Sequence, residues 1–262
     1  MQTMKQDSAA KVAANVLTIP QASRAYLVGQ TGTGKSTLLE VLMKEYQLAY
    51  KDIGKAVRTL IIDTKPRFRA EYELNGFGTR LSKRYAKWGH GSGFIPGSIV
   101  LPRAGRYANE LDQVFRLGYS TAIVQCEKEE EWSAGSEMAR IFYERYSSHI
   151  PRLLIVDELA DFYRFRSIGD IFQRVARNGR ERNVAFIAGS QRPRKVPVEI
   201  MSEMSRLYMF RLDFMEDIKH VWEFGIPRGT MKPNGYSFYM YDRNLQLEPP
   251  SNEYYQLSLE AD

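Results

Sequence analysis

Residues 29–37 read Gly29, Gln30, Thr31, Gly32, Thr33, Gly34, Lys35, Ser36 and Thr37, which fits the phosphate-loop spacing G-x-x-x-x-G-K-[ST]. Glycines let such a loop wrap tightly, so that successive main-chain N–H groups point at phosphate oxygens. An apolar run, RAYLV, precedes the loop and a helical stretch, KSTLLEVLMKEY, follows it. The positive end of that helix acts on the same anion. In such a loop Lys35 reaches the β- and γ-phosphates and the Ser36 hydroxyl ligates Mg²⁺. The expected ligand is a nucleoside triphosphate, and ATP is favoured because no Asn-Lys-x-Asp guanine-reading motif occurs.

The second half of such a site is an acid at the end of a buried strand. Residues 153–158 run Leu-Leu-Ile-Val into Asp157 and Glu158. Asp157 is expected to hold Mg²⁺, directly or through water. Glu158, one step on, is placed to polarise an attacking water. An acid pair favours hydrolysis over transfer to a small acceptor. A third polar group, Gln191, ends the apolar run VAFIAGS and precedes Arg192 and Pro193. At the tip of a strand beside the phosphate-loop strand it would sense the γ-phosphate and report it to the following loop.

These groups need a scaffold of alternating elements. Strands are expected at 24–28, 57–62, 98–101, 119–124, 152–156, 184–189, 206–212 and 236–241. Helices are expected at 35–47, 67–74, 107–117, 130–147, 168–180 and 214–223. Strands alternating with helices imply an α/β fold with a mostly parallel central sheet covered on both faces. The runs LLIV and VAFIA are apolar throughout, as central strands are. Residues 1–23 read as an N-terminal arm, 24–245 as one motor domain, 76–97 as a Gly- and charge-rich inserted loop, and 246–262 as a tail. Asn234-Gly235 is a hairpin signal, so the C-terminal part is expected to carry a β-hairpin extension.

Composition narrows the rest. The chain has 262 residues, of which 44% are hydrophobic and 26% charged, enough for a sizeable core. One cysteine excludes an intramolecular disulfide framework, and three histidines leave little for a His-rich metal site. No run approaches a membrane span and the first 15 residues lack a signal-peptide core, so a cytoplasmic protein is expected. Net charge is +6, but residues 64–106 and 164–195 each hold nine Lys/Arg against two Asp/Glu. Two basic tracts in an otherwise acidic chain point to a polyanion surface. In the first tract Lys83, Arg84 and Lys87 interleave with Tyr85 and Trp88 among glycines, a pattern suited to gripping DNA phosphates and stacking on bases. Arg192, Arg194 and Lys195, directly after Gln191, are the second candidate for DNA contact.

Four ordered stretches together resemble the FtsK–HerA superfamily of DNA-pumping ATPases. They are GQTGTGKST; the strand end Ile62-Asp63-Thr64-Lys65-Pro66; LLIVDELADFY; and ARNGRERNVAFIAGSQRPRKVP. Two departures are visible. Thr64 stands where the superfamily has proline, and Ser190 stands where it has threonine. The resemblance covers roughly residues 24–245 and is closest to the genome-packaging ATPases of membrane-containing tailless phages and large DNA viruses. It implies a RecA-like core and a homo-oligomeric ring, with a hexamer expected, that works on double-stranded DNA. Packaging would occur in the host cytoplasm or at a virion vertex, with a capsid or membrane portal protein as partner. A cellular or conjugative DNA pump, or an assembly switch that moves no DNA, are the alternatives. A ring places ATP between subunits, and an arginine from the neighbour then completes the site. The superfamily pattern favours Arg206 for this role, with Arg180, Arg177 and Arg211 as alternatives.

Overall fold

The computed structural model describes residues 22–64, 107–126, 129–163, 168–224 and 237–243, with the strand segments 73–74, 80–81, 86–87, 94–95, 97–100 and 255–256. Its main elements are β1 (Arg24–Val28), α1 (Lys35–Lys51), β2 (Arg58–Asp63), β3 (Gly97–Val100), α2 (Tyr107–Arg116), β4 (Thr121–Gln125), α3 (Glu129–Arg145), β5 (Arg152–Val156), α4 (Asp170–Asn178), β6 (Val184–Ser190), α5 (Val198–Glu203), β7 (Arg206–Met209), α6 (Met215–Glu223), β8 (Ser237–Asp242) and β9 (Tyr255–Gln256). The sheet order is β9-β8-β7-β1-β6-β5-β2-β4-β3. Strands β7 through β3 in that order pair in parallel, seven in all. β8 and β9 add an antiparallel edge.

The period-two alternation of the strands divides the core in two. Leu60, Ile62, Val124, Leu154, Val156, Phe186 and Ala188 face one side, with Leu111 of α2, Phe142 of α3 and Phe172 of α4. Ile61, Ile123, Leu153, Ile155, Ala185 and Ile187 face the other, against Leu38, Leu39, Leu42, Met43 and Tyr46 of α1. Those α1 positions recur at helical spacing, so one stripe of the helix is buried on the sheet. β5 and β6 are buried at every residue, because both their faces are covered.

The parallel α/β architecture therefore matches the expectation, and eleven of the fourteen expected strand and helix starts fall within a residue of the observed ones. Four differences are informative. The 67–74 stretch does not end as a helix: Glu73–Leu74 is a strand that pairs antiparallel with Arg80–Leu81. α5 is six residues long, too short to show a period in sequence. The hydrogen-bonded edge of β7 ends at Met209, yet the chain continues beside the phosphate loop. There the Phe210 N–H donates to the Val28 carbonyl at 2.8 Å, and the Gln30 N–H to the Arg211 carbonyl at 2.9 Å. The C-terminal antiparallel pair is β8 with β9, whose connection is 243–254, and Asn234-Gly235 lies outside the described residues.

Candidate active site

All the polar groups singled out around the phosphate loop come from the carboxyl ends of parallel strands. β6 lies between β1 and β5, with Val28 opposite Ser190 and Ala188 opposite Val156. The loop after β1, the acid pair after β5 and the tip of β6 therefore meet at one edge. α1 starts there at Gly34, with no side-chain cap on its first N–H groups. Those donors are available to an anion. Gly32 and Gly34 have φ of 79° and 96°, a region that glycine enters without a Cβ penalty. Gly29 is needed for space: a Cβ there would lie 2.5 Å from the Phe210 Cβ.

Lys35 is buried and folds back over the loop. Its Nζ donates to the Gly29 carbonyl at 2.6 Å and the Gln30 carbonyl at 2.7 Å. Thr33 Oγ1 donates to the Gln30 carbonyl at 2.8 Å, which closes the turn. Ser36 Oγ donates to Asp157 Oδ1 at 3.3 Å, and both residues are buried. A hydroxyl and a carboxylate side by side form an oxygen-only donor set, which could hold a hard divalent cation together with phosphate oxygens. Among the described residues no group of three or more His, Cys, Asp or Glu could hold a metal by itself.

Glu158 is 3% exposed and leans on the tip of β6. It accepts the Ser190 hydroxyl at 2.8 Å and the Gln191 main-chain N–H at 3.0 Å. The Gln191 side chain points to the phosphate loop, where Oε1 accepts the Thr31 hydroxyl at 2.9 Å. The arrangement thus brings Lys35, Ser36, Asp157, Glu158 and Gln191 together at one edge of the sheet. Sequence reasoning named Ser190 only as a replacement for the superfamily's threonine and gave it no role. Its position one step before Gln191 was the available signal.

Arg206 is placed differently. It is 5% exposed, starts β7 at the end of the sheet away from the phosphate loop, and puts Nε 2.5 Å from Asp242 Oδ2 on β8. A buried, paired guanidinium is not offered to a neighbouring subunit, which corrects the preference for Arg206 as the arginine acting in trans. Arg180 is exposed on the turn Gly179–Arg182. That turn is tied down by buried Arg152, whose guanidinium donates to the Phe142, Tyr143 and Arg182 carbonyls. Arg177 is exposed near Glu203, and Arg211 is exposed and paired with Asp213 at 2.9 Å.

The basic groups after Gln191 are partly committed. Arg192 lies 3.1 Å from the buried Asp217 and stacks over Phe214 at 4.3 Å. Arg194 is exposed with Glu216 at 3.7 Å, and Lys195 is exposed. Lys83, Arg84 and Trp88 lie outside the described residues, as does the side chain of Lys87.

The family model for ABC transporters matches residues 14–161, more than half of the chain. The chain belongs to this family of P-loop ATPases. The match runs through the phosphate loop to just past Asp157 and Glu158, so it covers both halves of the site of this ATPase. No curated protein matches the chain in sequence. Its fold is that of a P-loop NTPase, a mostly parallel sheet with flanking helices. It is similar to the genome packaging NTPase B204 from Sulfolobus turreted icosahedral virus 2 in complex with ATP-γS, with a TM-score of 0.51 at 15% identity over 87% of this chain and 96% of that one. The same protein in complex with AMPPCP gives 0.51 at 15% identity, over 86% and 95%. EssC (ATPases 2 and 3) from Geobacillus thermodenitrificans gives 0.50 at 12% identity, over 84% of this chain and 38% of that one. No helix among the described residues is long and apolar enough to cross a membrane.

Proposed function

We propose that this ATPase pumps double-stranded DNA and packages a viral genome into a preformed capsid. The observation behind this reading is its likeness in fold to B204 over 96% of that chain, together with the grouping of Lys35, Ser36, Asp157 and Glu158 at one edge of the sheet. Residues 24–245 act as the motor domain, and a homo-hexameric ring is its working form. It would work in the host cytoplasm or at the packaging vertex of the virion, against a capsid or membrane portal protein.

In the reaction, the loop Gly29–Thr37 and the start of α1 hold the triphosphate of ATP. Lys35 exchanges its two loop carbonyls for the β- and γ-phosphates. Ser36 and Asp157 would hold Mg²⁺, which would neutralise charge on the phosphates when bound. Glu158 orients and polarises the attacking water. Gln191 contacts the γ-phosphate side of the site and couples it to the Arg192–Lys195 turn. Arg180 is the arginine offered in trans, because it is exposed on a turn that Arg152 fixes. Lys83, Arg84, Lys87 and Trp88 contact DNA, and Arg194 and Lys195 form the second candidate surface.

The test is the ATPase rate of the intact chain with and without linear duplex DNA, together with displacement of a third strand from a triplex. Stimulation by DNA and ATP-dependent displacement are the expected results. ATP turnover that duplex DNA leaves unchanged, with no displacement, refutes DNA pumping and favours the assembly switch.

A further inference from the structure

The tip of β6 and the Glu158 carboxylate form one closed set of hydrogen bonds. Oε1 of Glu158 accepts the Ser190 hydroxyl at 2.8 Å and the Gln191 N–H at 3.0 Å, and Oε2 accepts the same N–H at 3.0 Å. The Ser190 oxygen accepts the Arg192 N–H at 3.1 Å. The serine's one proton goes to the carboxylate, and one of its two lone pairs takes the main chain. Beneath it lies Tyr26, whose phenol burial pushes well above its ordinary pKa, so a neutral hydroxyl stands beside the anion. A carboxylate turned onto main-chain and hydroxyl donors is stabilised as it stands, in the orientation that those donors set.

The same three residues reach both ways. The Gln191 side chain is held by Thr31 on the phosphate loop. Arg192 is held by Asp217 and Phe214 at the start of α6. The Gln191 side chain and its main-chain N–H thus join the phosphate loop and Glu158 through one residue.

We propose that Ser190 and the Gln191 main-chain N–H form a latch that holds Glu158 off the attacking water in the empty site, and that an arriving γ-phosphate opens it by taking the Gln191 side chain from Thr31. Ser190 is then a positioning residue, and the proposal rests on the reading of Glu158 as the water-polarising base. The latch makes hydrolysis wait for a correctly seated triphosphate. Its opening moves the Arg192 turn, which joins the nucleotide to α6.

The experiment uses the intact chain and the variants Ser190→Ala, Ser190→Thr, Glu158→Ala and Glu158→Gln. Without DNA, Ser190→Ala raises kcat about 10- to 150-fold, the scale of losing one hydrogen bond to a charged group, and leaves KM for ATP within about twofold. Ser190→Thr, which keeps the hydroxyl, stays near the unaltered rate. Hydrogen exchange read at the Gln191 amide is slow in the nucleotide-free chain, and speeds up on adding ATP-γS with Mg²⁺ and in Glu158→Ala. A kcat that is unchanged or lower in Ser190→Ala, or Gln191 exchange indifferent to ATP-γS, overturns the latch. Should Ser190→Ala fail to fold, exchange in the unaltered chain decides. Glu158→Gln separates the two claims. Normal turnover there removes the base reading and the latch with it, whereas lost turnover with an unaffected Ser190→Ala removes the latch alone.

Discussion

Arg206→Ala separates packing from catalysis. Arg206 and Asp242 form an ion pair whose side chains are 6% and 3% exposed, across the antiparallel β7–β8 register. Truncating Arg206 leaves the Asp242 carboxylate buried without the guanidinium. Breaking one side of a buried pair costs roughly 3–5 kcal/mol. In a chain of this size each kcal/mol moves Tm by about 2–4 °C, so a fall of roughly 6–20 °C is expected. Replacing both partners by apolar groups, as Arg206→Met with Asp242→Leu, removes the stranded charge and recovers most of the loss. The assay is thermal unfolding followed by circular dichroism, with ATPase activity read well below the lowered transition. Hydrolysis per folded chain should then stay within a few-fold of normal. The opposite pattern refutes this reasoning: an unchanged Tm, intact ATP binding, lost hydrolysis, and activity regained on mixing Arg206→Ala with Lys35→Ala. That outcome returns Arg206 to the neighbour's site.

Lys35→Ala removes the ammonium that now caps the Gly29 and Gln30 carbonyls; it should abolish ATPase activity and weaken nucleotide binding in a folded chain, and full turnover would end the phosphate-loop reading. Glu158→Gln keeps the shape but loses the charge, so it should bind ATP and hydrolyse it at least about 100-fold more slowly, measured by phosphate release at saturating ATP. If Lys83, Arg84 and Lys87 each meet a phosphate, replacing all three by Ala should make the log–log salt slope of duplex binding shallower by about 2.7 units. An unaltered slope would move DNA contact to Arg194 and Lys195.

The parts of the site written in the sequence are the ones whose partners are close in chain or fixed by strand order. The phosphate loop is contiguous, and the two apolar runs ending in Asp157 and Gln191 can be central strands only. Once β6 lies between β1 and β5, the phosphate loop, Asp157 and Gln191 come to one edge, and there Ser36 meets Asp157 and Gln191 meets Thr31. What stayed hidden depends on which charge a distant element supplies. Arg206 reads as one more basic residue until β8, 36 positions on, lays Asp242 beside it. Asp217 reads as an ordinary acid in the first turn of a helix, where the dipole favours it, yet it is buried and holds Arg192. The basic tract 164–195 is therefore less free than its count implies: Arg174 is taken by Glu144 and Arg192 by Asp217, while Arg180 stays exposed. Ser190 was given no role for a related reason. A serine in an apolar strand looks inert, and only the closeness of the β5 and β6 tips turns its hydroxyl into a donor to the catalytic acid. Charge counted along a chain marks where polyanions could be drawn, but the fold decides which of those charges remain to be given.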